Sequence, residues 1–285
     1  MSVVLTIALS VVSRSITDIT VSRKEEEALR AFSAAEAGIE KALISGTGGI
    51  ISGSLASTGA TYQAQPTGLA QGALDFAVPL RLDSGESGAV WLVAHDSSNN
   101  IICDGSNHCF TGTRIKVCWG DPNTSASDPT TPALETSVFY LSSGGNFATA
   151  KIARLAFDPN SSRTNDNRFT AADGACSLDG KQFAFSKEID LSSLGVTARP
   201  SANSTTGPYQ IRLRMLYNIG GDHPFGVSVN FSQNNGSVLP QQGTKIESVG
   251  TAGDANRKII VNRLYADLPP VFDFSIFSGS GSITK

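Results

Sequence analysis

Residues 3–12 read VVLTIALSVV, and beyond them apolar residues return every three or four positions among mixed charges as far as position 44. That is the period of one helix face. Neither Pro nor Gly interrupts the stretch before Gly38, so the pattern predicts one continuous helix over 1–45, about 65 Å long at 1.5 Å per residue. Its first third is apolar all round and has to be buried in lipid or among other apolar helices. Further along, Ile16, Ile19, Val21, Leu29, Phe32, Ala35, Ile39 and Leu43 approximate one face. Arg23, Lys24, Glu25, Glu26, Glu27, Arg30, Glu36, Glu40 and Lys41 decorate the remainder. Most of these charges read as a solvated face, with pairs such as Glu26 and Arg30 adding a few tenths of a kcal/mol. The small residues Ala34, Ala35, Ala37 and Gly38 are different, because they let another element approach the helix backbone closely.

After Gly46 the helical period is replaced by punctuation. Gly46, Gly48, Gly49, Gly53 and Gly59, with interspersed Ser and Thr, read as a connection over 46–75. Beyond it, period-two segments recur between Gly, Pro and Asn clusters at 76–82, 90–94, 114–119, 134–141, 151–157, 183–189, 210–217, 227–231, 258–265 and 271–277. In 114–119 the alternation sets Ile115, Val117 and Trp119 against Arg114 and Lys116. In 210–217 it turns Ile211, Leu213, Met215 and Tyr217 inward and Arg212 and Arg214 outward. Such strands belong to antiparallel sheets with one wet face. The expected fold is therefore α+β: the long N-terminal helix (1–45), the connection (46–75), and a large antiparallel β-rich, sandwich-like head over 76–285. The polar stretches 158–167 and 201–208 read as exposed loops.

Composition separates the head from the helix. Only 16% of the 285 residues are charged, and 28 Gly join a heavy load of Ser, Thr and Asn, the flavour of exported β proteins. A net charge of -3 without a Lys/Arg cluster argues against nucleic acid as the main partner. The four cysteines, Cys103, Cys109, Cys118 and Cys176, are candidates for two disulfides; three pairings are open, and Cys103 with Cys109 would fit across a short loop. No Lys or Arg precedes Arg14, unlike the basic start of a secretory signal. The apolar run from Met1 to Val12 covers about 18 Å as helix against a bilayer core of about 30 Å. Roughly ten further apolar residues upstream of Met1 would restore a full span, which is the expectation here.

The run Ala31-Phe32-Ser33-Ala34-Ala35-Glu36-Ala37-Gly38-Ile39-Glu40, preceded by an apolar helix that passes through Ser13-Arg14 into mixed charge, resembles the N-terminal region of PilX-type, type IV pilin-like proteins of bacteria. The resemblance covers about the first 44 residues. More weakly, Val117-Cys118-Trp119-Gly120 and the tail from Val271 to Gly279 resemble the large heads of pilin-like proteins in small-genome bacteria. The resemblance implies a precursor with a short basic leader, held in the inner membrane by its apolar half-helix. Such a precursor is cleaved and then polymerised by helix-on-helix packing. A Glu common at the fifth mature position in that family is Leu5 here if Met1 is the mature end, and neither a leader nor a cleavage Gly is seen.

Reaction chemistry is sparse. None of His95, His108 and His223 has a Glu at zincin spacing, and no nucleophile elbow, Walker loop or dinucleotide fingerprint occurs. Cys103, His108 and Cys109 imitate a metal site only loosely, since zinc sites use tighter paired spacings. The stretch from Asp158 to Asn167 alternates oxygen ligands but lacks the central Gly and closing Glu of an EF-hand. Carboxylates such as Asp121 and Glu135 can be paired in any chain this long without meaning catalysis. Sequons at Asn123, Asn160, Asn203, Asn230 and Asn235 mark surface at most. No enzyme activity, cofactor or metal is expected.

Two classes of function follow. In the first, the chain is a structural subunit, a major or minor pilin, of an extracellular filament. Its partners are then copies of itself or related pilins, inner-membrane lipid before assembly, and the pilus assembly machinery. Val4, Ile7, Val11, Ile16, Leu29, Phe32, Ala35 and Ile39 are the packing surface on this reading, with the β head exposed for surface contact or adhesion. In the second, the helix only tethers a β domain that binds glycan or protein at the cell surface. A pseudopilin of a secretion or DNA-uptake machine is a variant of the first.

Overall fold

A computed structural model describes residues 2–46, 48–56, 58–96, 100–104, 107, 109–142, 150–201, 204 and 206–267, with helix side chains from Ser13 onward. It has an N-terminal helix, α1 (Ser2–Ser45), followed by a large, mostly antiparallel β region. The strands are β1 (Ile51–Leu55), β2 (Ala60–Leu69), β3 (Asp75–Leu82), β4 (Ser87–Trp91), β5 (Arg114–Trp119), β6 (Ala133–Leu141) and β7 (Ala150–Asp158). After a short helix, α2 (Ser161–Asn167), come β8 (Thr170–Ala171), β9 (Cys176–Leu178), β10 (Lys181–Phe183), β11 (Phe185–Asp190), β12 (Gly207–Leu216), β13 (His223–Ser228), β14 (Gly243–Ala252) and β15 (Ala255–Leu264). Residues 271–277, read above as a strand, lie outside the described residues.

The chain divides into two compact units. Unit 1 comprises residues 1–69 and 243–264, and unit 2 comprises 70–242 and 265–285. Unit 1 is α1 against an antiparallel sheet in the order β1-β2-β14-β15. The segment 46–75, read as a connection, thus holds two strands of this sheet and the start of β3. Its glycines answer to packing. A Cβ on Gly53 would stand 2.4 Å from the Tyr62 hydroxyl across the β1–β2 pair. Strand β14, unmarked in the sequence pattern, pairs with β15 over its whole length and with β2 from Gly243 to Thr251.

In unit 2, one large sheet runs β11-β5-β13-β3 and another β4-β12-β6-β7-β8, where among the described residues only β7–β8 is parallel. They pack face to face. The Trp119 ring (β5) stacks on Phe157 (β7) with centroids 6.4 Å apart, and Gly88 (β4) leaves room for the Phe225 ring (β13), which an added Cβ would meet at 2.5 Å. Trp119 Nε1 donates to Pro132 O at 2.9 Å, so the buried indole is satisfied. Ile115, Val117, Ile211, Leu213 and Met215 are fully buried, as their alternation predicts.

The alternation fails at both ends of its polar logic. Tyr217 lies beyond the end of β12 at φ 69°, is partly exposed, and stacks under the Arg163 guanidinium at 4.4 Å. Arg212, expected to face water, is buried at 2% exposure; its guanidinium donates to Ser87 Oγ and pairs with Asp267.

The stretch 158–167 is likewise a folded element. Asn160 caps α2 by accepting from the Ser162 amide at 3.0 Å, and it is buried, which removes its sequon as a surface mark. The Asp158 carboxylate, with its side chain fully buried, accepts from Arg163 Nη2 at 2.8 Å, Asn167 Nδ2 at 2.8 Å and the Asn160 amide at 2.8 Å. Both oxygens are engaged as an anchor for α2, and Arg163 extends it to Pro129 O and Thr131 O. Replacing Asp158 by Ala strands a mostly buried guanidinium, so a loss of about 3 kcal/mol is expected, read as a lower urea midpoint.

Candidate assembly surface

The helix has two faces with different partners. Toward the sheet it presents Ala31, Ala34, Ala35, Gly38, Ile39 and Ala42, a three- and four-residue spacing of small residues with one Ile. These seat on Ala60, Ala64, Ile246 and Ala252. The approach is close enough to require glycine on both sides. A Cβ on Gly250 would lie 1.9 Å from Ala31 O and 2.5 Å from Ala35 N, and one on Gly38 would lie 2.2 Å from Ser248 Oγ. At the β14–β15 turn Gly253, at φ 56°, lies against the Glu27 carboxylate, which accepts from the Asp254 amide at 3.4 Å and pairs with Arg23 at 3.1 Å. Glu26 pairs with Arg30 one turn apart, as their spacing predicts.

Away from the sheet the helix is uncovered. Ile16 is 60% exposed, Ile19 67%, Leu29 69% and Phe32 45%. Residues 13–26 are exposed on every side. A groove of about 400 Å³ lies between the helix and the edge strand β15, lined by Glu25, Ala28, Leu29, Phe32 and Arg257.

The eight residues named as one packing surface therefore separate. Ile16, Leu29 and Phe32 are available to another molecule. Ala35 and Ile39 are not: they are buried against the chain's own sheet. The side chains of Val4, Ile7 and Val11 lie outside the described residues, although the helix backbone there is continuous. The missed signal is legible in retrospect, since a small-residue helix face needs a small-residue partner, and Gly250 and Ala252 alternate with Ser248 in β14 to supply one. Among the described residues no helix is long and apolar enough to cross a membrane.

The cysteines form two disulfides, Cys103–Cys109 and Cys118–Cys176. The first engages both sulfurs that a Cys103/Cys109 metal site would have used; His108 lies outside the described residues. The second ties β5 to the β9–β10 hairpin, where Leu178 and Phe183 pack on Ala77 and Cys118.

Several other ionisable groups form structural pairs. Asp121 accepts two bonds from the Arg81 guanidinium, the shorter 2.7 Å, and lies 3.1 Å from His223 Nδ1, while Arg81 also holds Asp222 at 2.9 Å. Glu135 lies in the other sheet, 3.8 Å from Arg154 and 3.9 Å from Arg214. The two carboxylates thus face different cations. A cavity of about 760 Å³ adjoins the first cluster, with Pro79, Leu80, Lys181 and Phe183 on its walls. Arg81 holds the Asp121 carboxyl below the usual carboxylate range, and burial pushes His223 below its ordinary value.

A depressed Asp stabilises the fold at neutral pH and loses that contribution as pH falls through its folded pKa. A depressed His favours the neutral form, so its contribution is lost as pH drops below the unfolded value of 6.5. Thermal stability of the wild type should therefore decline in two stages on acidification, His223 first. Asp121→Asn should lower the melting temperature at pH 7 and converge with wild type below pH 3.8. Parallel melting curves at every pH would contradict this assignment.

No protein-family model, curated protein or solved structure matches this chain.

Proposed function

We propose that this chain is a structural subunit, a major or minor pilin, of an extracellular type IV pilus-like filament. It polymerises through α1, held by inner-membrane lipid before assembly, and presents its sandwich-like β domain for surface contact or adhesion. One observation carries this reading. The helix turns small residues and one Ile toward its own sheet and leaves Ile16, Ile19, Leu29 and Phe32 partly or largely exposed. Burying apolar surface stabilises by about 25 cal/mol per Å². Large side chains left open at helical spacing, continuous with an apolar end at 3–12, are what a helix needs when its partners are other copies of itself.

The second reading, a tethered glycan- or protein-binding domain, gives no role to Leu29 and Phe32, because a tether needs only the apolar end. A pseudopilin of a secretion or DNA-uptake machine shares the first mechanism. Cell fractionation combined with negative-stain microscopy separates the classes. A subunit is expected in sheared or extruded filaments. A tethered domain would remain in the membrane fraction as a monomer, and that result would overturn the proposal.

A further inference from the structure

The cavity of about 760 Å³ beside Arg81 lies wholly within unit 2 and is walled by several separate elements. Val78, Pro79 and Leu80 come from β3, the end strand of its sheet. Pairing with β13 jumps from Arg81–Pro224 to Ala77–Gly226, so these three residues stand opposite Phe225 alone. A bulge of this kind bends the strand out of its ladder and re-aims its side chains. Asp121 and Pro122 follow β5, and Asp222 precedes β13. Another wall is β10, whose hairpin is tied to β5 by Cys118–Cys176 and seated by Leu178 and Phe183. A frame held by a disulfide, by prolines and by the Arg81 ion pairs is ordered before a ligand arrives, which removes one cost of binding.

The lining is mixed in a specific way. Its charges cancel, Arg81 and Lys181 against Asp121 and Asp222. Arg81 spends its guanidinium on the two carboxylates. Lys181 and Gln182 are exposed, and among the described residues their side chains have no partner. Asp222 commits one carboxylate oxygen to Arg81. The open groups are thus an ammonium donor, an amide that both donates and accepts, and a carboxylate oxygen that accepts. Much of the remaining lining is apolar: Pro79, Leu80, Pro122 and Pro224, with Leu80 47% exposed.

We infer that this cleft binds a neutral saccharide. Each sugar hydroxyl can donate and accept, which suits a rim where donors and acceptors are mixed. The C–H face of a sugar ring is apolar and covers proline and leucine surface. A polyanion needs an excess of Lys and Arg, and here the charges cancel. A strand-adding peptide needs an unbroken run of backbone groups along a sheet edge. On β3 that run is interrupted, because Pro79 has no N–H and the bulge displaces its neighbours. The assignment names the ligand class for the adhesion proposed above and rests on that reading for bringing the β domain to another surface. Binding itself needs only the folded chain.

The test uses the full chain in detergent. The probes are immobilised neutral hexasaccharides of glucose, galactose, mannose and N-acetylglucosamine, with heparin as a sulfated probe and unfolded casein as a peptide probe. At least one neutral saccharide should bind, and heparin and casein should not. Lys181→Met and Gln182→Ala should each weaken that binding about tenfold through a lost hydrogen bond. Both residues are exposed and unpartnered, so the melting temperature should stay at the wild-type value. Leu80→Asp should abolish binding by placing a charge on the apolar lining. Lys151→Met, at an exposed lysine of β7 outside the cleft, should bind as wild type does. A wild type that forms filaments but binds no saccharide, or prefers heparin or casein, would overturn the cleft assignment and leave the filament reading standing. Saccharide binding unchanged in Lys181→Met, Gln182→Ala and Leu80→Asp would place the ligand elsewhere and overturn it too. A wild type that binds saccharide through these residues but never polymerises would overturn the filament reading alone.

Discussion

Filaments are expected to disappear when Phe32 is replaced by Asp, while the single chain keeps its fold. Phe32 is 45% exposed and belongs to neither of the two helix–sheet clusters described for its unit, so the substitution changes little in the monomer, within about 0.5 kcal/mol. In an assembly the same position is desolvated. A carboxylate there must be buried without a partner or protonated, at a cost of several kcal/mol per subunit. Because every subunit carries the change, the penalty recurs at each contact, and polymerisation should fall below detection. The check is paired: filament yield by shearing and microscopy, and monomer stability by urea unfolding in detergent. Normal filaments from Phe32→Asp would remove Phe32 from the interface.

The opposite outcome is expected at Gly250. An added Cβ would lie 1.9 Å from Ala31 O, and the atoms it meets belong to the backbone of a helix and not to the end of a flexible side chain. Ordinary overpacking costs about 1–3 kcal/mol because side chains move aside. Here α1 itself has to lift from β14, exposing Ala31, Ala34, Ala35 and Ala252, so Gly250→Val should cost more than about 4 kcal/mol. Hydrogen exchange locates the damage. Amides of residues 31–42 should lose protection, whereas the Trp119 core in unit 2 should keep it. Uniform loss across both units would mean that the two do not unfold separately.

These two residues show where the sequence was legible and where it was not. The long helix was legible because nothing breaks its period, and the strands carrying Ile115 and Leu213 were legible because buried apolar residues alternate there with charged ones. Unit 1's sheet was not. Its inner face is built from Ala60, Ala64, Ser248, Gly250 and Ala252, residues chosen for size, and a strand of small residues reads as linker. Hence 46–75 looked like a connection, β14 carried no signal, and Ala35 and Ile39 were grouped with the outward surface they do not share. Arg212 and Asp158 were assigned to water on polarity alone, although each is buried with its charge matched, to Asp267 and Arg163 respectively. Polarity predicts exposure only until a partner arrives from elsewhere in the fold.

The central claim is that α1 is an assembly helix whose outward face belongs to other copies of this chain. Electron cryomicroscopy of material sheared from cells expressing the full chain tests it most directly. The account predicts an ordered helical polymer with the N-terminal helices bundled at its axis and Leu29 and Phe32 in contact with neighbouring subunits. A dispersed monomer retained in the membrane, or a polymer whose contacts leave Leu29 and Phe32 in solvent, would contradict it.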